Sequence, residues 1–183
     1  SLKALDSGLI NDVDVFIGYT SEETLIGIPM FETSFIKEYH RYPDLFVPRK
    51  IQIKCSTDQM LVLSDKIISH YFKGKVISKE TMREYVTFSN QTSFVYDIQR
   101  FISRLHKVGN GRRIMSKFSC VSNRNVYGIQ VLNSGIRGAA HLDDLTYLFD
   151  PQLFNLPRKM ILKSTEHDST RTVSSFLNLY CPP

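Results

Sequence analysis

The sequence predicts an α/β fold. Two short strand patterns, Val13-Asp14-Val15-Phe16-Ile17 and Ile114 to Phe118, are separated by a long stretch whose apolar residues recur at helical spacing. A glycine-bracketed loop, Gly135 to Gly138, then delivers His141 to the start of another helical pattern. Two strands are too few for a complete sheet, so the expected architecture is a partial sheet with flanking helices.

The first strand pattern closes at Gly18, a turn signal, and Thr20, Ser21, Glu22 and Glu23 follow at once. Hydroxyls and acids in that place predict a helix N-terminus, where they suit free backbone N–H groups and the dipole. Ser56-Thr57-Asp58-Gln59 is a capping-box pattern, and Met60, Leu63, Ile67, Ile68 and Tyr71 continue it as a helix until Lys73-Gly74-Lys75. A further short helix is expected from Ser78, carrying Met82, Tyr85 and Val86. A third is expected on Phe94, Ile98, Phe101, Ile102 and Leu105, ended by Gly109-Asn110-Gly111. The alternation Ile114, Ser116, Phe118 against Met115, Lys117 reads as a strand, and 122–134 as a polar loop. At the end of the chain, Asp168 caps an expected helix bearing Val173, Phe176, Leu177 and Tyr180.

Composition narrows the function classes. The 183 residues are 42% hydrophobic and 22% charged, which excludes collagen-like, coiled-coil and disordered chains. No apolar run approaches a membrane span, and the opening residues lack a signal-peptide pattern. The net charge of +5 is mild, and Arg100, Arg104 and Lys107 fit the solvated face of the third helix. No recognition motif accompanies them, so nucleic acid is not an expected partner. Cys55, Cys120 and Cys181 form no Cys-x-x-Cys pair and support no zinc site. They read first as buried free thiols and second as one disulfide with a thiol left over. The compartment stays open between cytoplasmic and secreted.

Among five histidines, His40, His70, His106 and His167 lie in polar stretches, near helix ends or in a cap. His141 differs: small residues precede it, allowing close backbone approach, and Asp143 and Asp144 follow. Glu23 is the second candidate. A carboxylate on the loop after a buried strand can orient a histidine through one ring nitrogen and stabilise the imidazolium formed in acid–base work. Both positions also have ordinary structural readings, a cap for the acid and a packed ring for the histidine. Acid before histidine is the chain order of α/β-hydrolases.

Here the sequence resembles a known family. Asp12 to Ile17 followed by Gly18-Tyr19-Thr20-Ser21-Glu22-Glu23 is similar to the acid motif of type-B carboxylesterases, the cholinesterase-like branch of the α/β-hydrolases. Gly138-Ala139-Ala140-His141-Leu142-Asp143-Asp144-Leu145 with Tyr147-Leu148-Phe149 resembles that family's more specific histidine motif. Phe46-Val47-Pro48-Arg49 and Tyr96-Asp97-Ile98-Gln99-Arg100 resemble insect α-esterases in particular. The likeness runs from about Leu5 to Tyr180. It implies the C-terminal part of an α/β-hydrolase fold, with Glu23 as triad acid, His141 as general base, and Asp144 capping a helix and holding the loop. Glu22 is the competing acid, because Thr24 stands where the family has glycine after the acid.

The sequence contains no Gly-x-Ser-x-Gly elbow and no His-Gly-Gly-Gly-like oxyanion stretch, both of which precede the acid in the family's order. Residues 1–183 are therefore expected to be the C-terminal portion of one larger domain, inactive alone and dependent on a missing N-terminal portion. The implied reaction is hydrolysis of small apolar carboxylic esters through an acyl-enzyme, with no metal or organic cofactor. The alternatives are a non-catalytic adhesion or interaction protein of the same fold, or a stand-alone interaction module. The pairing of Glu23 with His141 argues against a decayed triad.

Overall fold

The computed structural model describes residues 2–131 and 134–149. Helix α1 (Leu2–Asp6) leads to strand β1 (Val15–Thr20). A helical run, α2, covers 23–41: a 3-10 turn Glu23–Gly27, helix Ile28–Met30, a π turn Phe31–Phe35 and helix Ile36–Arg41. Short α3 (Arg49–Gln52) precedes α4 (Thr57–Phe72). Run α5 covers 79–108, comprising Lys79–Thr81, Met82–Asn90, a π turn Gln91–Val95 and Tyr96–Val108. Strand β2 (Arg113–Phe118), α6 (Val126–Ile129) and α7 (Leu145–Leu148) follow, and a 3-10 turn, Pro43–Phe46, lies between α2 and α3.

Helix α4 begins on the expected box: Ser56 Oγ accepts the Gln59 N–H while Gln59 Oε1 accepts the Ser56 N–H. It ends at Lys73, which adopts φ 53, beside Gly74 at φ +75. The two helices expected at 78 and 94 are one continuous run. The π turn Gln91–Val95 carries the backbone across the polar Asn90-Gln91-Thr92 without breaking it. The polar segment read as a loop contains α6, a single turn. The helix expected around Val173 lies outside the described residues, as does His167. Of the two cysteine readings, the second fits better: Cys120 is disulfide-bonded and Cys55 is a free, half-buried thiol. This corrects the first reading of three free thiols.

β1 and β2 pair in parallel, in register from Val15 with Arg113 to Thr20 with Phe118. Parallel neighbours need a long crossover, which α2 to α5 provide. Their apolar faces meet in the main core, where Leu25, Phe31, Phe46, Phe72, Val86 and Phe88 are buried. One face of the strand pair sends Val15 and Ile17 against Leu5, Ile102 and Leu105. The other buries Phe118 but leaves Phe16 52% and Ile114 46% exposed, although Ile114 alternates on the same side as Phe118. Nothing among the described residues covers that part of the face.

Candidate active site

The site forms at the carboxyl ends of the two parallel strands, the usual place for chemistry in an α/β sheet. The Ser21 N–H donates to the Phe118 carbonyl at 2.7 Å, extending the β1–β2 ladder one step beyond the strands. Glu23 then opens α2. Its Oε1 accepts the Thr20 N–H at 2.7 Å, and its Oε2 lies 2.6 Å from His141 Nδ1. One carboxylate oxygen is thus fixed by the backbone and the other by the imidazole. A Glu–His contact through Nδ1 leaves Nε2 free to take a proton from a third group.

Burial differs across the pair. The Glu23 side chain is 5% exposed, whereas that of His141 is 42% exposed. The acid is enclosed and the ring it orients faces an opening. Phe94 lies beside that ring, with centroids 5.4 Å apart.

The two loops are stitched together by their backbones. The Glu22 N–H donates to the Ala139 carbonyl at 3.0 Å, the Ala139 N–H to Ser21 Oγ at 3.1 Å, and the His141 N–H to the Glu23 carbonyl at 3.3 Å. Asn90, buried in α5, holds the acid loop from the other side. Its Oδ1 accepts the Glu23 N–H at 3.2 Å and its Nδ2 donates to the Ser21 carbonyl at 2.9 Å. Glu22, the competing acid, points elsewhere: its Oε1 is 3.6 Å from Arg83 Nη1. Burial pushes the Glu22 carboxyl above the ordinary range, partly offset by Arg83 and Lys117. Gly138 makes this possible, since a Cβ there would lie 2.2 Å from Glu22 Cγ.

Asp144 stands at the N-cap of α7, but the carboxylate that ties the loop down is that of Asp143. Asp143 is fully buried and accepts from the Ala140, Tyr127 and Gly128 N–H groups and from Asn125 Nδ2. Burial raises its pKa and these donors lower it, with burial the stronger effect. Asn90 and Asp143 were not singled out for these roles by sequence reasoning. Asn90 carried a usable signal, a poor helix former inside an otherwise helical stripe. Nothing in the sequence separates Asp143 from its neighbour Asp144. His40 and His70 are occupied away from the site, by the Ile77 carbonyl at 2.6 Å and the Tyr71 ring respectively. Among the described residues, no group of three or more His, Cys, Asp or Glu side chains could hold a metal ion, and no helix is long and apolar enough to cross a membrane.

The architecture is that of part of an α/β-hydrolase. It superposes on juvenile hormone esterase from Manduca sexta, crystallised with OTFP covalently attached, with a TM-score of 0.67 at 21% identity, covering 81% of this chain and 27% of that one. In sequence the chain is carboxylesterase-like and similar to insect esterases: it is 27% identical to Esterase B1 of Culex pipiens over 152 residues, which is 80% of this chain and 27% of that protein. No family model matches the sequence. The chain thus spans about a quarter of the length of the relatives it matches.

Proposed function

We propose that this chain supplies the acid and the base of a serine-hydrolase triad in a longer carboxylic ester hydrolase. The observation that carries this reading is the contact of buried Glu23 Oε2 with His141 Nδ1 at 2.6 Å, beside a ring open to an approaching group. In the proposed reaction a serine from another part of the protein attacks the ester carbonyl and His141 takes its proton. Glu23 holds the ring and stabilises the imidazolium, and water then repeats the attack on the acyl-enzyme. Neither an elbow serine nor an oxyanion stretch occurs in the 183 residues, so the chain alone is inactive in this reading.

The remainder of the same domain would lie against the uncovered strand face at Phe16 and Ile114. Small apolar carboxylic esters are the proposed substrates, and no cofactor takes part. The disulfide at Cys120 favours a secreted location over a cytoplasmic one, because disulfides persist in oxidising compartments. A thiol count on the natural protein that found Cys120 free would remove that argument.

The test is to express the natural transcript from its own start and assay a naphthyl or nitrophenyl ester. Hydrolysis that disappears in His141→Ala is the expected result. Full activity in that variant, or an upstream sequence with the elbow serine replaced, would favour the non-catalytic adhesion reading instead.

A further inference from the structure

We infer that Asp143 is a positioning residue for His141: its carboxylate sets the turn that aims the imidazole at Glu23. This rests on the proposed function above, but its physical basis is separate. Asp143 Oδ2 accepts the Ala140 N–H at 2.7 Å, the Gly128 N–H at 3.2 Å and Asn125 Nδ2 at 3.3 Å, and Oδ1 accepts the Tyr127 N–H at 3.0 Å. All four partners donate. An ionised carboxylate satisfies them all, whereas an amide of the same shape would set its own NH2 against one of them.

These contacts join the first turn of α6 to Ala140, the residue immediately before His141. The Asp143 N–H in turn donates to the Ala140 carbonyl at 3.0 Å, so residues 140–143 are closed on themselves from both ends. Inside that closure Leu142 adopts φ 73, the left-handed region that a branched side chain rarely enters unless its surroundings impose it. The turn presenting His141 is therefore imposed by tertiary contacts, and Asp143 makes most of them. A reacting group keeps its productive geometry only where packing and hydrogen bonds behind it lock its position.

The experiment uses the natural full-length protein labelled with 15N-histidine. The readout is the low-field Nδ1–H resonance of His141, assigned by its loss in His141→Ala, together with kcat and KM on a nitrophenyl ester and a thermal melt. Asp143→Asn, at a temperature where it is folded, is expected to lose or shift that resonance. Its kcat should fall about 100-fold, the scale of a small misplacement, with little change in KM. Gly128→Ala is the second variant, since a Cβ there would stand 2.9 Å from Asp143 Oδ2, and it should act in the same direction less strongly. If Asp143→Asn does not fold, Gly128→Ala decides by the same readouts.

Folded variants that melt earlier yet keep the wild-type resonance and kcat would reduce Asp143 to a stabilising role and overturn the inference. Glu23→Gln separates this failure from failure of the proposed function. If the wild type hydrolyses no ester and Glu23→Gln leaves the resonance in place, the triad reading falls. The response of the His141 resonance to the Asp143 and Gly128 variants still decides the positioning role.

Discussion

Glu23 and His141 are joined twice, once by side chains, Oε2 to Nδ1 at 2.6 Å, and once by backbone, the His141 N–H to the Glu23 carbonyl at 3.3 Å. The backbone link sets where the ring stands and the side-chain link sets which way it turns. Replacing the carboxylate by an amide removes only the second. In the natural full-length protein, Glu23→Gln should leave the melting temperature close to wild type and lower kcat by roughly 10^4-fold, the scale found when a triad acid becomes an amide. An unchanged kcat would show that His141 needs no acid at Nδ1.

Asn90 holds the acid loop through one donor and one acceptor, both buried. Asn90→Ala leaves the Glu23 N–H and the Ser21 carbonyl without these partners, which should cost about 1–3 kcal/mol in denaturant unfolding. A loss well below that range would mean that water or another group replaces the amide.

Gly138→Ala places a Cβ where the Glu22 stem lies. Either Glu22 moves off Arg83 or the two loops separate. A destabilisation of about 1–3 kcal/mol is expected from such overpacking. Gly138→Ala/Glu22→Ala, which removes the obstructing stem, should recover part of it. Strict additivity of the two changes in unfolding free energy would refute this contact as the cause.

Asp12 accepts the Asn110 and Gly111 N–H groups and a hydrogen bond from Arg113 Nη2, and these contacts hold its carboxyl below the ordinary 3.8. A group whose pKa is lower in the folded state stabilises the fold above its unfolded value and ceases to do so as pH falls through the folded one. Wild type should therefore melt above Asp12→Asn at neutral pH, and the gap should close on acidification below about 3.8. A gap that stays constant down to pH 2 would assign the difference to packing rather than charge.

Phe16 and Ile114 are register partners on one face of the strand pair and both stand about half exposed. An uncovered apolar sheet face invites association. The 183-residue chain on its own should bind an environment-sensitive dye, and Phe16→Thr/Ile114→Thr should reduce that binding. Equal fluorescence from both proteins would place the exposed apolar surface elsewhere.

Much of this molecule was legible from local pattern. The capping box at Ser56, the stripe from Phe94 to Leu105 and the second strand each depend on residues close in sequence, and each appears where its periodicity puts it. The first strand is displaced: it runs Val15–Thr20, through Gly18 instead of closing there, because pairing with β2 continues past the glycine. The motifs around Glu23 and His141 were visible for the same reason. Two features misled. Asn90-Gln91-Thr92 looks like a break because polar residues interrupt the apolar period, yet the π turn accommodates them and Asn90 faces the site. The alternation puts Ile114 on the same side as buried Phe118, yet Ile114 stands 46% exposed, because a strand face is buried only where a second layer covers it.

By itself the sequence determined the longer helices, the second strand, their order and the pair of residue types able to do acid–base work, since these follow from spacing along one chain. Only the tertiary structure decided which glutamate meets His141, that Asp143 rather than Asp144 ties the loop, and that Asn90 is built into the site. Those outcomes rest on contacts between residues far apart in sequence, where the direction of a side chain and its burial, and not its identity, select the partner.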